Sequence, residues 1–281
     1  MNEHLGSGAA KSHRLPPYRG ILAVDTVRFT DNRSADQPGL SAAIPAILEQ
    51  ALRTCGIGEV WETRRFPEGT GDGYVFGAPP EYLPFLVDPL FDQLELILED
   101  QSRQLAARHR DLRLRLRVSL HVGPVPDDEG THSVGKPIND TFRLLDSMSI
   151  REALKRANPD VTHMAAIVSQ RVYEDVIRAG YTGLHPDRFD PVTAEVPGKD
   201  FAEPAWLYVP RPSRGGDAQE LAARTAEPSS SARHAIDSAP HTTVHGNVGQ
   251  AITAHRVSGE FNPVLHSGFQ ASRPRSEGEA Q

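Results

Sequence analysis

The chain has 281 residues, of which 38% are hydrophobic and 24% charged, and its formal net charge is −7. This acidic balance argues against a general binder of nucleic acids or anionic membranes. The single cysteine, Cys55, rules out a disulfide framework and a thiolate metal cluster. The N-terminus lacks the apolar core of a signal peptide, and no stretch is apolar for long enough to span a membrane, so we predict a cytoplasmic protein.

The predicted elements of the first half alternate strands with helices. A continuous apolar run in "YRGILAVDTVRFT" is typical of a strand buried on both faces. Ile44, Ile47, Leu48 and Leu52 share one helical face, and Gly56 suits the C-terminal cap of that helix. In chain order we predict a flexible leader at 1–18, a strand within 18–30, a helix at 40–56, strands at 59–66 and 74–78, and a long helix at 83–109 that starts near Pro89.

The second half continues this alternation and then changes character. "LRLRLRVSLHVGPV" first alternates leucine with arginine, which predicts a strand with one buried face. In chain order we predict this strand at 112–125, a helix at 139–157, a strand at 161–169, a short helix at 170–180 and a closing pair of strands at 190–210. After Pro210, serine, alanine, glycine and proline dominate, as is typical of a linker.

The order of these elements predicts the fold class. Antiparallel hairpins mixed with helical crossovers indicate an α+β sandwich of the ferredoxin-like type, with an antiparallel or mixed sheet and flanking helices. We therefore predict one folded domain at 19–210, a disordered linker at 211–241 and a low-complexity tail at 242–281.

Two carboxylates stand at the ends of predicted strands. Asp25 follows the first apolar strand, and Asp72 lies in the glycine-rich turn of "FPEGTGDGYVFG". These strands are neighbours in a ferredoxin-like sheet, so the two carboxylates could hold Mg²⁺ or Mn²⁺ that bridges substrate phosphates. Turn and cap chemistry accounts for each aspartate taken singly, because Asp-Gly is a strong hairpin signal.

Three further polar residues suit a nucleotide. Asn139 and Arg143 are four residues apart and so share one face of the predicted helix. An amide beside a guanidinium can orient a ribose and neutralise charge on a phosphate, and Lys199 in "EVPGKDF" would add a phosphate-binding cation. Taken singly, Asn139 could be a helix N-cap and Arg143 a residue of a solvated helical face.

Five pieces of the sequence, taken in order, resemble the class III nucleotide cyclases. They are "VDTVRFT", the hairpin "GTGDGYVFG", the strand "LRVSLHVGPV", the helix start "NDTFR" and a Gly-Lys loop before the closing strand. Any one piece is a weak signal, but the ordered set is specific, and it runs from about residue 19 to residue 210.

The resemblance implies a reaction and a set of roles. Asp25 and Asp72 would hold two divalent metal ions, Mg²⁺ or Mn²⁺, one to activate the ribose 3′-hydroxyl and one to neutralise the triphosphate. Asn139 would position the ribose and Arg143 would stabilise the transition state. In the family these last two residues come from the partner subunit, so the resemblance implies a homodimer with shared active sites acting on a nucleoside triphosphate.

The resemblance implies that two positions of the chain contact the base of the nucleotide. Where adenylate cyclases of the family carry a lysine and an aspartate, this chain has Glu68 and His132. An ionised Glu68 can only accept hydrogen bonds, so it suits the ring N–H of guanine or uracil but not the N1 acceptor of adenine. The resemblance thus favours UTP or GTP over ATP. His132 could equally be a solvated loop residue.

Other features bear on the substrate and on the biological role. Arg28 stands where the family has a small residue, and we consider Arg28 and Trp61 as residues that shrink the base pocket. The sequence carries no recognisable sensor domain. In this respect it is similar to bacterial pyrimidine cyclases that make cyclic UMP or cyclic CMP during phage infection, an analogy of architecture.

The tail contains one stretch that differs from its surroundings. "TTVHGNVGQAITAHRVSG" (242–259) mixes β-forming residues with glycines. It is either disordered or a short strand-forming motif, similar to amyloid-like signalling motifs, that binds an effector. The sequence therefore leaves a second hypothesis open, in which the domain is a catalytically silent adaptor that acts through this motif.

Overall fold

The computed structural model of the protein describes residues 12–108, 113–126 and 135–215. Seven strands form one sheet in the order β2-β3-β1-β4-β5-β7-β6. All neighbouring strands are antiparallel except β4 and β5, which are parallel. The strands are β1 (Tyr18–Thr26), β2 (Arg65–Gly69), β3 (Gly73–Ala78), β4 (Leu116–Pro124), β5 (Met164–Ser169), β6 (Asp190–Glu195) and β7 (Ala202–Tyr208).

The helices connect these strands on both faces of the sheet. They are α1 (Gln37–Thr54), α2 (Gly58–Glu62), α3 (Leu83–Val87), α4 (Leu90–Arg108), α5 (Lys136–Asp146), α6 (Met148–Arg156) and α7 (Gln170–Val172). Helix α7 continues into one π-helical turn, Tyr173–Ile177. In the part of the chain that the structure describes, no helix is both long and apolar enough to cross a membrane.

The first six large elements form a ferredoxin-like core. Strands β1 to β4 with α1 and α4 follow the order βαββαβ, and they pair as β2-β3-β1-β4 with every contact antiparallel. The prediction of an α+β ferredoxin-like sandwich with flanking helices is therefore confirmed. Strands β5, β6 and β7 extend the sheet on the β4 side.

Burial on both sides of β1 explains its uninterrupted apolar sequence. Leu22 and Val24 pack with α1 and α4 on one face of the sheet. Ile21 and Ala23 point to the other face, where they pack with residues of α5. Because successive residues alternate between the faces, Asp25 continues the row of Ile21 and Ala23 and lies on the α5 side.

The prediction of a strand at 59–66 is wrong over its first half. Residues 58–62 form helix α2, and β2 begins only at Arg65. Ile57, Val60 and Trp61 are all buried, and their spacing of three and four residues suits a helix rather than a strand.

The predicted helix at 139–157 is two helices. The chain turns at Ser147, which has an extended ψ of 152° and whose hydroxyl donates to the Leu144 carbonyl at 2.7 Å. Helix α5 ends before this residue and α6 starts after it. Similarly, the predicted helix at 83–109 is divided into α3 and α4, and the longer part begins at Leu90, close to the predicted start at Pro89.

The described chain follows the surface of the domain beyond the predicted boundary at 210. The Thr162 hydroxyl donates to the Arg211 carbonyl, and the hydroxyls of Thr162 and Ser213 are 2.7 Å apart. The Gly215 N–H donates to the Arg156 carbonyl at 2.7 Å. Residues 211–215 are therefore attached to the connection between α6 and β5.

Candidate active site

Asp25 lies near the end of β1, directly opposite a cation on the neighbouring strand. It pairs in register with Gly73 of β3 and with Arg117 of β4. Arg117 donates from Nε to Oδ1 of Asp25 at 2.7 Å and from Nη2 to Oδ2 at 2.5 Å. The two side chains are 13% and 12% exposed, so this bidentate ion pair is largely shielded from water.

The hairpin between β2 and β3 brings Asp72 to the same place. The Thr26 N–H donates to the Asp72 carbonyl at 2.8 Å, which fixes the turn against the end of β1. The next residue must be glycine, because a Cβ on Gly73 would lie 2.3 Å from the Val24 carbonyl oxygen. Gly71 has a φ of +91°, which also favours glycine. Gly73 thus allows the turn to lie close to β1, and Gly71 allows the backbone to turn sharply.

Charge and burial together change the pKa of Asp25. Burial raises its pKa to about 6, Arg117 opposes the rise, and the carboxylates of Asp72 and Asp146 add to it. Asp146 is the last residue of α5, on the same face of the sheet. Arg117 pairs with Asp25, and Arg151 and Lys199 lie 2.6 Å and 3.9 Å from Asp146, so among these three carboxylates Asp72 is the one without an ion pair among the described residues.

The carboxylates of Asp25 and Asp72 suit a divalent ion that takes its remaining ligands from elsewhere. Among the described residues, no group of three or more His, Cys, Asp or Glu side chains is arranged to hold a metal ion. Asp25 and Asp72 could therefore supply only part of a coordination shell, and substrate phosphates and water would supply the rest. Each Asp25 oxygen keeps a second lone pair beside its bond to Arg117, so metal binding does not require this ion pair to break.

Helix α5 carries Asn139 and Arg143 on the surface of the domain. Asn139 is exposed. Arg143 is 37% exposed, and its guanidinium lies 3.4 Å from an Asp140 oxygen and 5.4 Å from the Phe201 ring centre. Seven residues separate Asn139 from Asp146, which is about 10 Å along a helix. In one chain, therefore, the amide lies well away from the carboxylates near Asp25.

The remaining predicted residues are distributed around this centre. Lys199 is half-exposed, and its Nζ lies 3.9 Å from an Asp146 oxygen. Glu68 is exposed on β2, in register with Val75 and close in sequence to the Asp72 turn. His132 lies outside the described residues.

Arg28 and Trp61 occupy different environments from each other. Arg28 is exposed, with a left-handed φ of 54° and an Asp31 oxygen at 3.8 Å. Trp61 is buried in the core, where it stacks on Tyr74 and meets the edge of Phe76. The interpretation of Trp61 as a residue that shrinks the base pocket is therefore wrong, because its ring packs against other aromatic side chains.

Sequence reasoning missed Arg117 and Asp146. Arg117 belongs to the alternating run "LRLRLR", which marks it only as a residue on one face of a strand. Its pairing with Asp25 depends on the register between β1 and β4. The charge of Asp146 acts on Asp25 from the end of α5, and no local pattern indicated that end.

Comparison with known proteins gives no relative by sequence. No family model matches the chain. A search of the curated proteins also gives no match.

Solved structures of cyclase domains are similar to this chain. An adenylate cyclase of Trypanosoma brucei matches with a TM-score of 0.44 and 15% identity, over 70% of this chain and 90% of that one. The guanylate cyclase domain of RhGC from Catenaria anguillulae, solved with GTP, matches at 0.43 and 16%, over 70% and 99%. The adenylyl cyclase CyaB from P. aeruginosa matches with a TM-score of 0.45 and 13% identity, over 68% of this chain and 92% of that one.

The class of fold follows from the sheet order and from the ordered motifs. A βαββαβ core with β5, β6 and β7 added beside β4 contains all five motif pieces, and two of them bring Asp25 and Asp72 together. This combination resembles the class III nucleotide cyclase catalytic domains.

Proposed function

We propose that the protein is a metal-dependent nucleotide cyclase that converts a nucleoside triphosphate into a 3′,5′-cyclic nucleotide and pyrophosphate. The observation that supports this most directly is that Asp25 and Asp72 meet at the end of β1, where the Thr26 N–H donates to the Asp72 main-chain carbonyl and Asp25 pairs with Gly73. Arg117 adds a cation directly beside them.

The proposed reaction forms one bond and breaks another. The ribose 3′-oxygen attacks the α-phosphorus, the bond from this phosphorus to the bridging oxygen breaks, and pyrophosphate leaves with that electron pair. The hydroxyl proton goes to water. Divalent ions held by Asp25 and Asp72 would lower the pKa of the 3′-hydroxyl and neutralise the phosphates. Arg117 favours the ionised form of Asp25 and holds this side chain in position through two hydrogen bonds.

We assign the ribose and the transition state to residues of a second subunit. Asn139 would hydrogen-bond the ribose, and Arg143 would stabilise charge on the α-phosphate. Both lie on α5, and Asn139 lies about 10 Å along that helix from Asp146, so a homodimer with two shared sites would complete each site. Lys199 would add a cation for the phosphates.

We assign base selection to Glu68. As an exposed carboxylate on β2, it would accept a hydrogen bond from the ring N–H of uracil or guanine, whereas adenine presents a lone pair at N1. A mispaired polar group costs roughly 1–3 kcal/mol, or about 5- to 150-fold in selectivity. UTP or GTP is therefore the proposed substrate, with His132 as a second candidate contact to the base.

We place this activity in cytoplasmic signalling, with antiphage defence as the specific role. The resemblance of the ordered motifs to nucleotide cyclases, which make signalling molecules, supports this role. The tail motif at 242–259 would recruit an effector protein.

The proposal is tested by incubating purified protein with each of the four nucleoside triphosphates and Mn²⁺ and identifying products by mass spectrometry. We expect a cyclic nucleotide from UTP or GTP, more slowly from ATP, and at least a thousandfold less from Asp72→Ala. The matched control is Asp187→Ala, because Asp187 has a 91% exposed side chain outside the site. It should keep full activity.

A second function is supported by one feature of the site. Both oxygens of Asp25 already pair with Arg117, as in a scaffold that has no need of a metal ion. A catalytically silent adaptor would give no product from any of the four substrates. A product whose yield does not depend on Asp72 would contradict the assignment of the carboxylates.

A further inference from the structure

A cavity of about 570 Å³ lies where β4 ends and α5 begins. Its walls come from β4, α5 and β7, and from α7 with the π-helical turn that follows it. The described residues assigned above to the metal ions, the phosphates, the ribose and the base do not line it. His121 in its wall is four residues along β4 from Arg117, which is about 13 Å in a strand. The cavity is therefore separate from the carboxylates near Asp25, and we call it the α5 cavity.

The inner part of the α5 cavity combines apolar surface with hydrogen-bond acceptors. Leu144 and Phe201 are buried and line it with apolar groups, and the buried Asp140 lines it as well. Nδ1 of His121 is shielded from water and has no hydrogen-bond partner among the described residues. Burial lowers the pKa of this imidazole to about 4, so at neutral pH the ring is uncharged and offers a lone pair to a donor.

The mouth of the α5 cavity carries an excess of negative charge. Three carboxylates are exposed there and form no ion pair among the described residues: Glu174, Asp175 and Glu203. Two cations also line the cavity. Lys136 pairs with Asp140, whereas the Arg171 guanidinium lies 5.9 Å from the Tyr18 ring centre. Three carboxylates and one cation are thus left without an ion pair, and this balance attracts a cation.

The two parts of the α5 cavity together favour one class of ligand. A metal ion is not suited, because among the described residues no three His, Cys, Asp or Glu side chains are arranged to hold one. An anion would face the carboxylates at the mouth. An organic cation suits both parts, since its ammonium groups donate to the acceptors and its carbon chain contacts Leu144 and Phe201.

We propose that the α5 cavity binds a small aliphatic polyamine. One ammonium group lies in the inner part, beside the uncharged imidazole of His121 and the carboxylate of Asp140. A second ammonium group lies at the mouth beside Glu203, and the methylene groups between the two cover the apolar wall. The proposal does not depend on turnover at Asp25 and Asp72, so it stands or falls separately from the proposed cyclase activity.

The test is isothermal titration of the full-length protein with 1,4-diaminobutane and with spermidine, and with butylamine as the comparison. We expect both polyamines to bind, and more weakly at higher salt because charges at the mouth contribute. Butylamine should bind at least about tenfold more weakly, because it has one ammonium group for two sets of acceptors. Equal affinity for butylamine would contradict the arrangement in two parts, and no binding of either polyamine would overturn the proposal.

Two glutamates of the last two strands provide matched variants. Glu203 on β7 and Glu195 on β6 are both exposed, but only Glu203 lines the α5 cavity. Glu203→Gln is expected to weaken spermidine binding about fivefold and Glu195→Gln less than about twofold, because the attraction between charges falls off with distance. Equal losses in the two variants would show a general charge effect and contradict the site.

Two more variants test the inner part of the cavity and its separation from the active site. His121→Phe should weaken spermidine binding at least about tenfold, with thermal unfolding as the check that the domain still folds. If that variant is unfolded, the comparison of Glu203→Gln with Glu195→Gln decides alone. Asp72→Ala should bind spermidine as the unchanged protein does, and a loss there would place the amine beside the carboxylates of the candidate active site instead.

Discussion

At the scale of single residues, the ion pair of Asp25 and Arg117 governs how the candidate site can be probed. Removing one partner of a largely buried pair costs about 3–5 kcal/mol, because the other charge stays buried without compensation. A variant of Asp25 would therefore lose stability along with any activity. Asp72 is the cleaner probe, since its main-chain carbonyl fixes the turn and alanine keeps that carbonyl.

His121 is a second residue whose environment has a measurable consequence. It lies on β4, lining a cavity of about 570 Å³ at the start of α5, and its Nδ1 has no hydrogen-bond partner among the described residues. Burial lowers its pKa to about 4, the cations Lys136 and Arg171 contribute to the lowering, and Asp140 opposes it. The folded protein therefore keeps this imidazole neutral.

This neutral imidazole predicts a loss of stability in mild acid. Between pH 6.5 and about pH 4 the unfolded chain binds a proton at His121 and the folded protein does not, so the free energy of unfolding falls as the pH falls. The loss from this residue reaches up to about 3 kcal/mol at the lower end. Urea unfolding of the protein and of His121→Phe across this range measures it, and the variant should lack this part of the fall.

His185→Ala serves as the control, because that histidine is exposed. It should follow the pH dependence of the unchanged protein. If His121→Phe gives a parallel curve as well, the imidazole of His121 titrates normally and the burial argument is wrong.

At the scale of elements, the turn that carries Asp72 depends on one glycine. A methyl group on Gly73 would lie 2.3 Å from the Val24 carbonyl oxygen, which belongs to the central strand and cannot move away. We expect Gly73→Ala to lower the free energy of unfolding by about 2–4 kcal/mol and to shift Asp72 away from Asp25. Urea unfolding measures the first effect, and Mn²⁺ binding in the presence of nucleotide measures the second.

Gly69→Ala is the matched control in the same hairpin. No atom lies within 4 Å of the position that its methyl group would take. Its free energy of unfolding should change by less than about 0.5 kcal/mol. Equal destabilisation by both variants would mean that the hairpin tolerates no side chain at either glycine, and the specific contact with Val24 would not be the cause.

The elements also show which parts of the fold the sequence could predict. Strand β1 and helix α1 were predictable, because a long apolar run and a spacing of three and four residues are strong local signals. Helix α2 was not, since five residues are too few to separate helical spacing from strand alternation. The break at Ser147 depends on a hydroxyl that bonds the Leu144 carbonyl, a competition between side chain and backbone that a helical pattern does not reveal.

The candidate site also contains some residues that the sequence could predict and others that it could not. Asp25 and Asp72 were predictable as neighbours because strand ends and tight turns are local features and the ferredoxin-like order places them side by side. Arg117 and Asp146 were not, because the register that pairs Arg117 with Asp25 and the helix end that carries Asp146 are defined only in the folded chain.

At the scale of the whole molecule, the proposed sharing of each site between two subunits predicts complementation between inactive subunits. Mixing Asp72→Ala with Arg143→Ala should restore activity, because one site of each heterodimer regains every residue. Random pairing makes half of the dimers heterodimers with one good site out of two, so about a quarter of the full activity is expected. The rate of product formation in the mixture measures it.

The control mixture combines Asp72→Ala with Asp25→Asn, two variants that each lack one of the carboxylates supplied by the same subunit. Every site in those heterodimers lacks one carboxylate, so activity should stay absent. If heterodimers are shown to form in the first mixture and activity is still not restored, Asn139 and Arg143 lie outside a shared site.

The two open edges of the sheet carry a final consequence, which concerns polymerisation. Strand β2 contains Pro67 and an irregular register against β3, and β6 begins with Asp190 and Pro191 and ends with Glu195. Proline cannot donate to an added strand, and charges and irregularities discourage one, so neither edge is a good template for strand addition. If the motif at 242–259 pairs as a strand, it would therefore pair with its own copies or with a partner protein, and the folded domains would remain outside any fibre that formed.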